Sequence, residues 1–143
     1  MNKKLWIGTI AVFIGISVLG FLIHGVILKP VYQSDMMMKI LRPEAEENGL
    51  MWIYFVVDAI VAFFFTLIFS KGYEGKGMME GVRYGLYVGL LMSTPAAYAS
   101  YAMYPMPYAL ALHWFLLGIV EYIILGIILA MVFGKKAQAA PAA

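Results

Sequence analysis

The stretch from Leu5 to Leu28 reads LWIGTIAVFIGISVLGFLIHGVIL and contains no Lys, Arg, Asp or Glu. It is longer than the ~20 apolar residues that cross the ~30 Å hydrocarbon core of a bilayer as a helix. Asn2, Lys3 and Lys4 precede it, as in a secretory signal. However, the stretch is about twice as long as a signal core and lacks an A-x-A cleavage site. It therefore predicts an uncleaved membrane-spanning helix.

Three more apolar stretches follow, at residues 50–69, 79–101 and 108–133. Hydrophobic residues make up 64% of the 143 residues and charged residues only 13%, more apolar surface than one soluble domain of this size can bury. Short connections between consecutive spans favour an antiparallel arrangement. The sequence thus predicts an all-α membrane protein, in which residues 1–143 form a single domain with four transmembrane helices in an antiparallel bundle.

The basic residues are distributed unequally between the two sides of the predicted bundle. If the N-terminus is inside, seven lie on the inner side and three on the outer side: Lys3, Lys4, Lys71, Lys76, Arg83, Lys135 and Lys136 against Lys29, Lys39 and Arg42. Because cytoplasmic loops carry the excess of Lys and Arg, both termini are predicted to be cytoplasmic and residues 29–49 to form the outer loop. The formal net charge of +2 is too small to indicate a nucleic-acid partner.

The outer loop contains two patterns typical of short helices. Ser34 can cap a helix with Met37, Ile40 and Leu41 on its apolar face, and Pro43 begins a second helical pattern with acids in its first turn. Thioethers favour Cu(I), but three consecutive methionines at 36–38 point in different directions on a helix and cannot converge on one ion. Packing is the favoured role for the methionines.

The third span carries a regular row of small residues. Every fourth position is small: Gly77, Gly81, Gly85, Gly89, Ser93 and Ala97. Such a row lets another helix approach closely, and it predicts a helix-packing surface whose partner, in the same chain or another, stays open. Thr94-Pro95 lies inside this span and predicts a bend, which can open a cavity near the outer side or be purely structural.

Four ionisable side chains lie inside the predicted spans: His24, Asp58, His113 and Glu121. At ~1.5 Å per residue, Asp58, His24 and His113 lie roughly 6–10 Å below the outer boundary and Glu121 about 20 Å below it. His113 and Glu121 are about 80° apart on their helix, so both can reach one interior. Because such groups are costly in hydrocarbon, they mark the candidate ligand or proton-path residues.

Three interpretations of these four residues stay open. They can be hydrogen-bonded locks between helices, they can hold a metal or a b-type haem through the two histidines, or they can form a proton or ion path. The absence of cysteine excludes thiolate chemistry, and no recognised catalytic motif is present. We therefore favour a non-catalytic protein without a cofactor that acts by helix association in the lipid bilayer. It would be a homo-oligomer or an accessory subunit of a larger complex, such as a respiratory or electron-transfer complex. A haem-binding, metal-binding or transport protein is the alternative.

Three segments, at residues 20–25, 42–46 and 71–85, read GFLIHG, RPEAE and KGYEGKGMMEGVRYG. In these segments the chain resembles small bacterial four-helix integral membrane proteins of unknown function, and the similarity spans most of its length. The resemblance implies a multi-pass protein of the bacterial cytoplasmic (inner) membrane. It implies no activity for any residue.

Overall fold

In a computed structural model, which describes residues 3–134, the chain is helical, with no strand in that range. Eight α-helices follow in order: α1 Lys3–Gly20, α2 Lys29–Tyr32, α3 Asp35–Met38, α4 Glu44–Gly49, α5 Met51–Gly72, α6 Met78–Thr94, α7 Ser100–Met103 and α8 Tyr108–Phe133. Two π-helical segments, Phe21–Ile27 and Pro95–Ala99, extend α1 and α6. The predicted all-α fold class is thereby confirmed.

Three helical stretches are long and apolar enough to cross a membrane, namely Lys3–Ile27, Met51–Gly72 and Tyr108–Phe133. They coincide with the predicted first, second and fourth spans to within a few residues. At the predicted third span, α6 has 17 residues and continues through the second π-helical segment into α7. Lys135 and Lys136, which contribute to the predicted orientation, lie outside the described residues.

The closest helix pair is α6 with α8, and the small residues of α6 explain why. Gly81, Gly85, Gly89, Ser93 and Ala97 are all buried. A Cβ atom added to Gly85 would overlap the Tyr122 carbonyl oxygen and lie 2.6 Å from the Ile123 Cα atom. Gly77 is also buried but lies in the preceding loop, with φ of 86°. The partner of the small-residue row is therefore a helix of the same chain.

A tightly packed aromatic core fills the end of the molecule that holds Lys3 and Phe133, here called the terminal end. Phe65 and Phe69 of α5 pack against Tyr84 of α6, with ring centroids 4.7 and 5.1 Å apart, and the Tyr84 hydroxyl donates a 2.6 Å hydrogen bond to the Phe65 carbonyl. Lys4 donates to the Phe133 carbonyl at 2.5 Å, a cation at the C-terminus of α8. These contacts join α1, α5, α6 and α8 at this end.

The opposite end, here called the loop end, holds residues 29–49. Its apolar cluster consists of Ile23, Leu28, Met37, Met106, Leu110 and Ala111. Met37 is 2% exposed whereas Met36 and Met38 are 48% and 59% exposed, so only one methionine of the triplet packs inward. Ser34 precedes α3 as predicted, but its hydroxyl bonds back to the Val31 carbonyl and does not cap the helix. The loop thus folds back over the start of α8.

The loop-end half of α5 is not packed against the rest of the chain. All seven residues from Met51 to Val57 are exposed, and Trp52 reaches 62%. Burial in α5 begins only at Asp58 and Ala62. The four long helices therefore close around a core at the terminal end, while α1, α6 and α8 alone surround the interior of the loop end.

Candidate functional site

Two local departures from α-helical geometry shape the loop end. In the segment Phe21–Ile27 the helix widens, and the Leu28 N–H donates to the Ile23 carbonyl, five residues earlier, at 2.8 Å. In Pro95–Ala99 the proline has no N–H to donate and its ring crowds the preceding turn. The Thr94 hydroxyl donates to the Leu90 carbonyl at 2.6 Å, which partly replaces the missing backbone bonding. Such π turns are frequent at functional sites.

Both π-helical segments border one cavity of about 340 Å³. Its walls come from α1 and its extension, from α6 and its extension, and from α8: Ile23, His24, Met92, Ser93, Ala96, Trp114, Gly118, Glu121 and Tyr122. No residue of α5 contributes to this lining. His24, Met92 and Ala96 are also exposed at the surface, so the cavity is open to the outside of the chain. Its volume falls within the range of small-molecule sites.

A shared hydroxyl closes the loop end of the cavity. The Trp114 Nε1–H donates to the Tyr32 hydroxyl oxygen at 2.7 Å, and that hydroxyl lies 2.6 Å from His24 Nδ1. Because indole is a donor only, the hydroxyl is free to donate its own proton to Nδ1, which leaves the imidazole proton of a neutral His24 on Nε2. Burial raises the pKa of Tyr32 to about 12, so this proton is retained at neutral pH.

The opposite end of the cavity holds an acid. Glu121 lies two helical turns from Trp114 on the same face of α8, about 10 Å deeper. Within residues 3–134 its carboxyl has no hydrogen bond or salt bridge. Asp58 lies close enough for the two acids to interact electrostatically, and it accepts a 3.2 Å hydrogen bond from the Ser17 hydroxyl. The site therefore combines a largely apolar chamber, lined by Glu121, with a second acid, Asp58, outside the lining.

The structure brings together three of the four predicted site residues and separates the fourth. His24 and Glu121 line the same cavity, and Asp58 lies beside Glu121. His113 is exposed and does not line the cavity. His113 directly precedes Trp114. Consecutive residues of an α-helix are rotated by about 100° about its axis, so His113 faces away from the cavity when Trp114 faces inward. His113 therefore does not join Glu121, with which it was predicted to share an interior, in the lining of this cavity.

The side chains that could hold a metal ion are dispersed in the described part of the chain. No group of three or more His, Asp or Glu side chains that could together hold a metal ion is found there. The two histidines do not face one another across the cavity, as two axial ligands of one haem would have to do.

The sequence interpretation missed the residues that complete the site. Tyr32 lies outside the spans and belongs to no pattern in the sequence, and Trp114 is not among the predicted site residues. A detectable signal was the spacing of Trp114, Gly118 and Glu121, which are four and three residues apart and therefore share a face of α8. Ser17 lies 41 residues from Asp58 along the chain and could be paired with it only in three dimensions.

Comparison of the chain with known protein families, curated proteins and solved structures found no match.

Proposed function

We propose that the chain is a four-span membrane protein that binds a small lipophilic molecule in the cavity between α1, α6 and α8. The observation that carries this proposal is the Glu121 carboxyl, which has no hydrogen bond or salt bridge in the described chain and lines a largely apolar chamber. A polar group in such surroundings is costly unless it is satisfied, and a bound ligand can supply the partner.

The loop-end half of α5 supports entry from the bilayer. Residues 51–57 are exposed and contribute nothing to the cavity lining, and the chamber reaches the surface at His24, Met92 and Ala96, all within the helical part of the chain. The loop end itself is covered by the apolar cluster around Met37 and Leu110 and by Tyr32. A molecule dissolved in lipid therefore meets less obstruction than one arriving from water at the loop end.

Binding fits the geometry better than transport does. Below Glu121, Tyr122 packs against Phe65 with ring centroids 5.7 Å apart, and the aromatic core continues through Phe69 to Phe133. Within the described residues, the Glu121 carboxyl makes no hydrogen bond that could begin a proton path across this core. Catalysis is not favoured either, because no hydrogen-bonded chain in the described residues links Glu121 to a second acid or base. The role we propose is non-catalytic.

In this proposal the third span is α6 with its extension through the π-helical segment to α7. The chain would lie in a bacterial cytoplasmic membrane with both termini in the cytoplasm, as the distribution of Lys and Arg favours. Helix association with a second subunit stays a prediction. The small-residue row of α6 is covered by α8, so association would use another apolar surface, such as the exposed half of α5.

Filling the cavity tests the proposal. Phe in place of Ala96 puts a ring into the chamber, whereas Ala99→Phe makes the same change in the same π-helical segment at an exposed position that does not line it. In a Trp6→Phe, Trp52→Phe background, Trp114 is the one tryptophan left to report on the cavity. The probes are benzyltrimethylammonium and neopentylbenzene, which has carbon in place of the quaternary nitrogen.

We expect at least one probe to change Trp114 fluorescence saturably in nanodiscs. The probe affinity obtained from this fluorescence change should fall at least tenfold in the Ala96→Phe protein and stay unchanged in the Ala99→Phe protein. Absence of a saturable response to both probes, or equal responses in the two variants, would contradict the proposal.

A further inference from the structure

The cavity is lined by one carboxyl group, that of Glu121, and by no cationic Lys or Arg side chain of the described chain. The salt bridges among the described residues join Arg42 to Glu46 and Lys76 to Glu74, all of them outside the three apolar spans. The Glu121 carboxyl, with Asp58 close enough to interact with it electrostatically, therefore has no compensating positive Lys or Arg side chain in the cavity lining.

The walls beside these acids are aromatic. Trp114 lies on the same face of α8 as Glu121, and Tyr122 adjoins it in the lining. The face of an aromatic ring attracts a cation, most strongly for Trp, and the attraction grows when water is excluded. His24 lies at the opposite end of the lining, with its Nδ1 atom 2.6 Å from the Tyr32 hydroxyl. Acids at one end and ring faces along the side are the chemistry that recognises an organic ammonium ion.

We propose that the cavity binds a lipophilic organic cation, whose charge lies against the Glu121 carboxylate with Asp58 behind it and whose apolar part lies against Trp114 and Tyr122. This inference rests on the proposed function, since it names the class of molecule that the same cavity accepts. An anion would meet two acids, and a neutral molecule would leave them uncompensated. Met92, Ala96 and Ile23 supply the apolar surface for the remainder of the ligand.

The two probes differ in one atom and therefore isolate the charge. With Trp114 as the single tryptophan and the protein in phosphatidylglycerol nanodiscs, benzyltrimethylammonium should bind at least tenfold more tightly than neopentylbenzene. Glu121→Gln, which keeps the shape and removes the negative charge, should abolish this preference and leave neopentylbenzene binding unchanged. Glu47→Gln is the matched control, because Glu47 is an exposed carboxylate outside the cavity, and it should change neither affinity.

The outcomes test the cation inference separately from the proposed binding function. Equal affinity for both probes, with no effect of Glu121→Gln, overturns the cation inference but leaves the proposed binding function standing. Failure of both probes overturns both. If the Glu121→Gln protein does not fold, judged by circular dichroism, Asp58→Asn replaces it and should lower the cation preference severalfold; no change in that preference would count against the inference. The source of the ammonium group is tested in phosphatidylethanolamine nanodiscs, where loss of benzyltrimethylammonium binding would assign the site to a lipid headgroup and overturn its assignment to a free cation.

Discussion

At the scale of single residues, one hydroxyl connects three parts of the chain. Tyr32, in a four-residue helix of the loop, lies between His24 of the first apolar stretch and Trp114 of α8. Each contact is short, at 2.6 and 2.7 Å, and the tyrosine is half-buried. A side chain from outside the spans thus orients two residues of the cavity, and its removal leaves an indole N–H without its acceptor.

We expect Tyr32→Phe to lower the free energy of unfolding by about 1–3 kcal/mol, the cost of leaving a buried donor unpaired. Tyr54→Phe is the control, because the Tyr54 hydroxyl makes a longer, exposed bond of 3.3 Å to Glu47. That change should cost less than about 0.5 kcal/mol. Denaturant unfolding in mild detergent measures both variants. Equal losses in the two proteins would show that the shared hydroxyl contributes little.

The contribution of Tyr32 to the free energy of unfolding should depend on pH, because burial raises the pKa of Tyr32 to about 12 from an ordinary value of 10.0. A raised pKa in the folded state means that the stabilising contribution is fully present below about pH 10 and is lost as the pH rises toward about 12. The stability difference between the native protein and Tyr32→Phe should therefore shrink over that interval. A constant difference would contradict the assignment.

At the scale of elements, the row of small residues on α6 brings two backbones into contact. The row is met by small residues of α8, because a Cβ added to Gly126 would overlap the Gly81 carbonyl oxygen and lie 3.1 Å from the Gly85 nitrogen. Glycine is required on both sides, since any side chain would meet main-chain atoms that cannot move independently. Close approach of this kind is the usual way in which helices associate in a bilayer.

Gly85→Ala should therefore destabilise the monomer by about 1–3 kcal/mol or more through overpacking, rather than disrupt an oligomer. Gly20→Ala makes the same substitution at a helical glycine with nothing within 4 Å of the added Cβ atom. It should stabilise the protein by roughly 0.5–1 kcal/mol, because alanine loses less backbone entropy in a helix. Unfolding measurements on the two variants give the comparison. A Gly85→Ala protein as stable as the Gly20→Ala protein would contradict the close packing.

At the scale of the whole molecule, the cavity exists because the helices close at one end and separate at the other. Aromatic residues of α5, α6 and α8 fill the terminal end, whereas residues 51–57 of α5 lie away from the other helices. In our proposal the open half lies in the outer leaflet, which places the acids within reach of molecules dissolved there. The orientation of the chain in the membrane therefore determines from which leaflet a ligand enters.

Cysteine labelling tests that orientation without interference, since the chain has no native cysteine. A cysteine at Gln33, an exposed residue of the loop, should react in intact cells with a reagent that does not cross the membrane. A cysteine at Ala143 should react only after the membrane is permeabilised. Labelling of Ala143 from outside would contradict both the four-span topology and the assignment of the cavity to the outer leaflet.

The sequence by itself determined the all-α class, the three stretches able to cross a membrane, and the positions of the acids, because hydropathy and helix length are properties of contiguous residues. Only the tertiary structure decided that α8 covers the small-residue row, that Tyr32 joins His24 to Trp114, and that His113 lies outside the cavity. The depth of a residue follows from counting along the chain. Its direction follows from the rotation of its helix against neighbours that are distant in sequence, and the two π-helical segments alter that rotation on α1 and after α6 in a way that periodicity does not reveal.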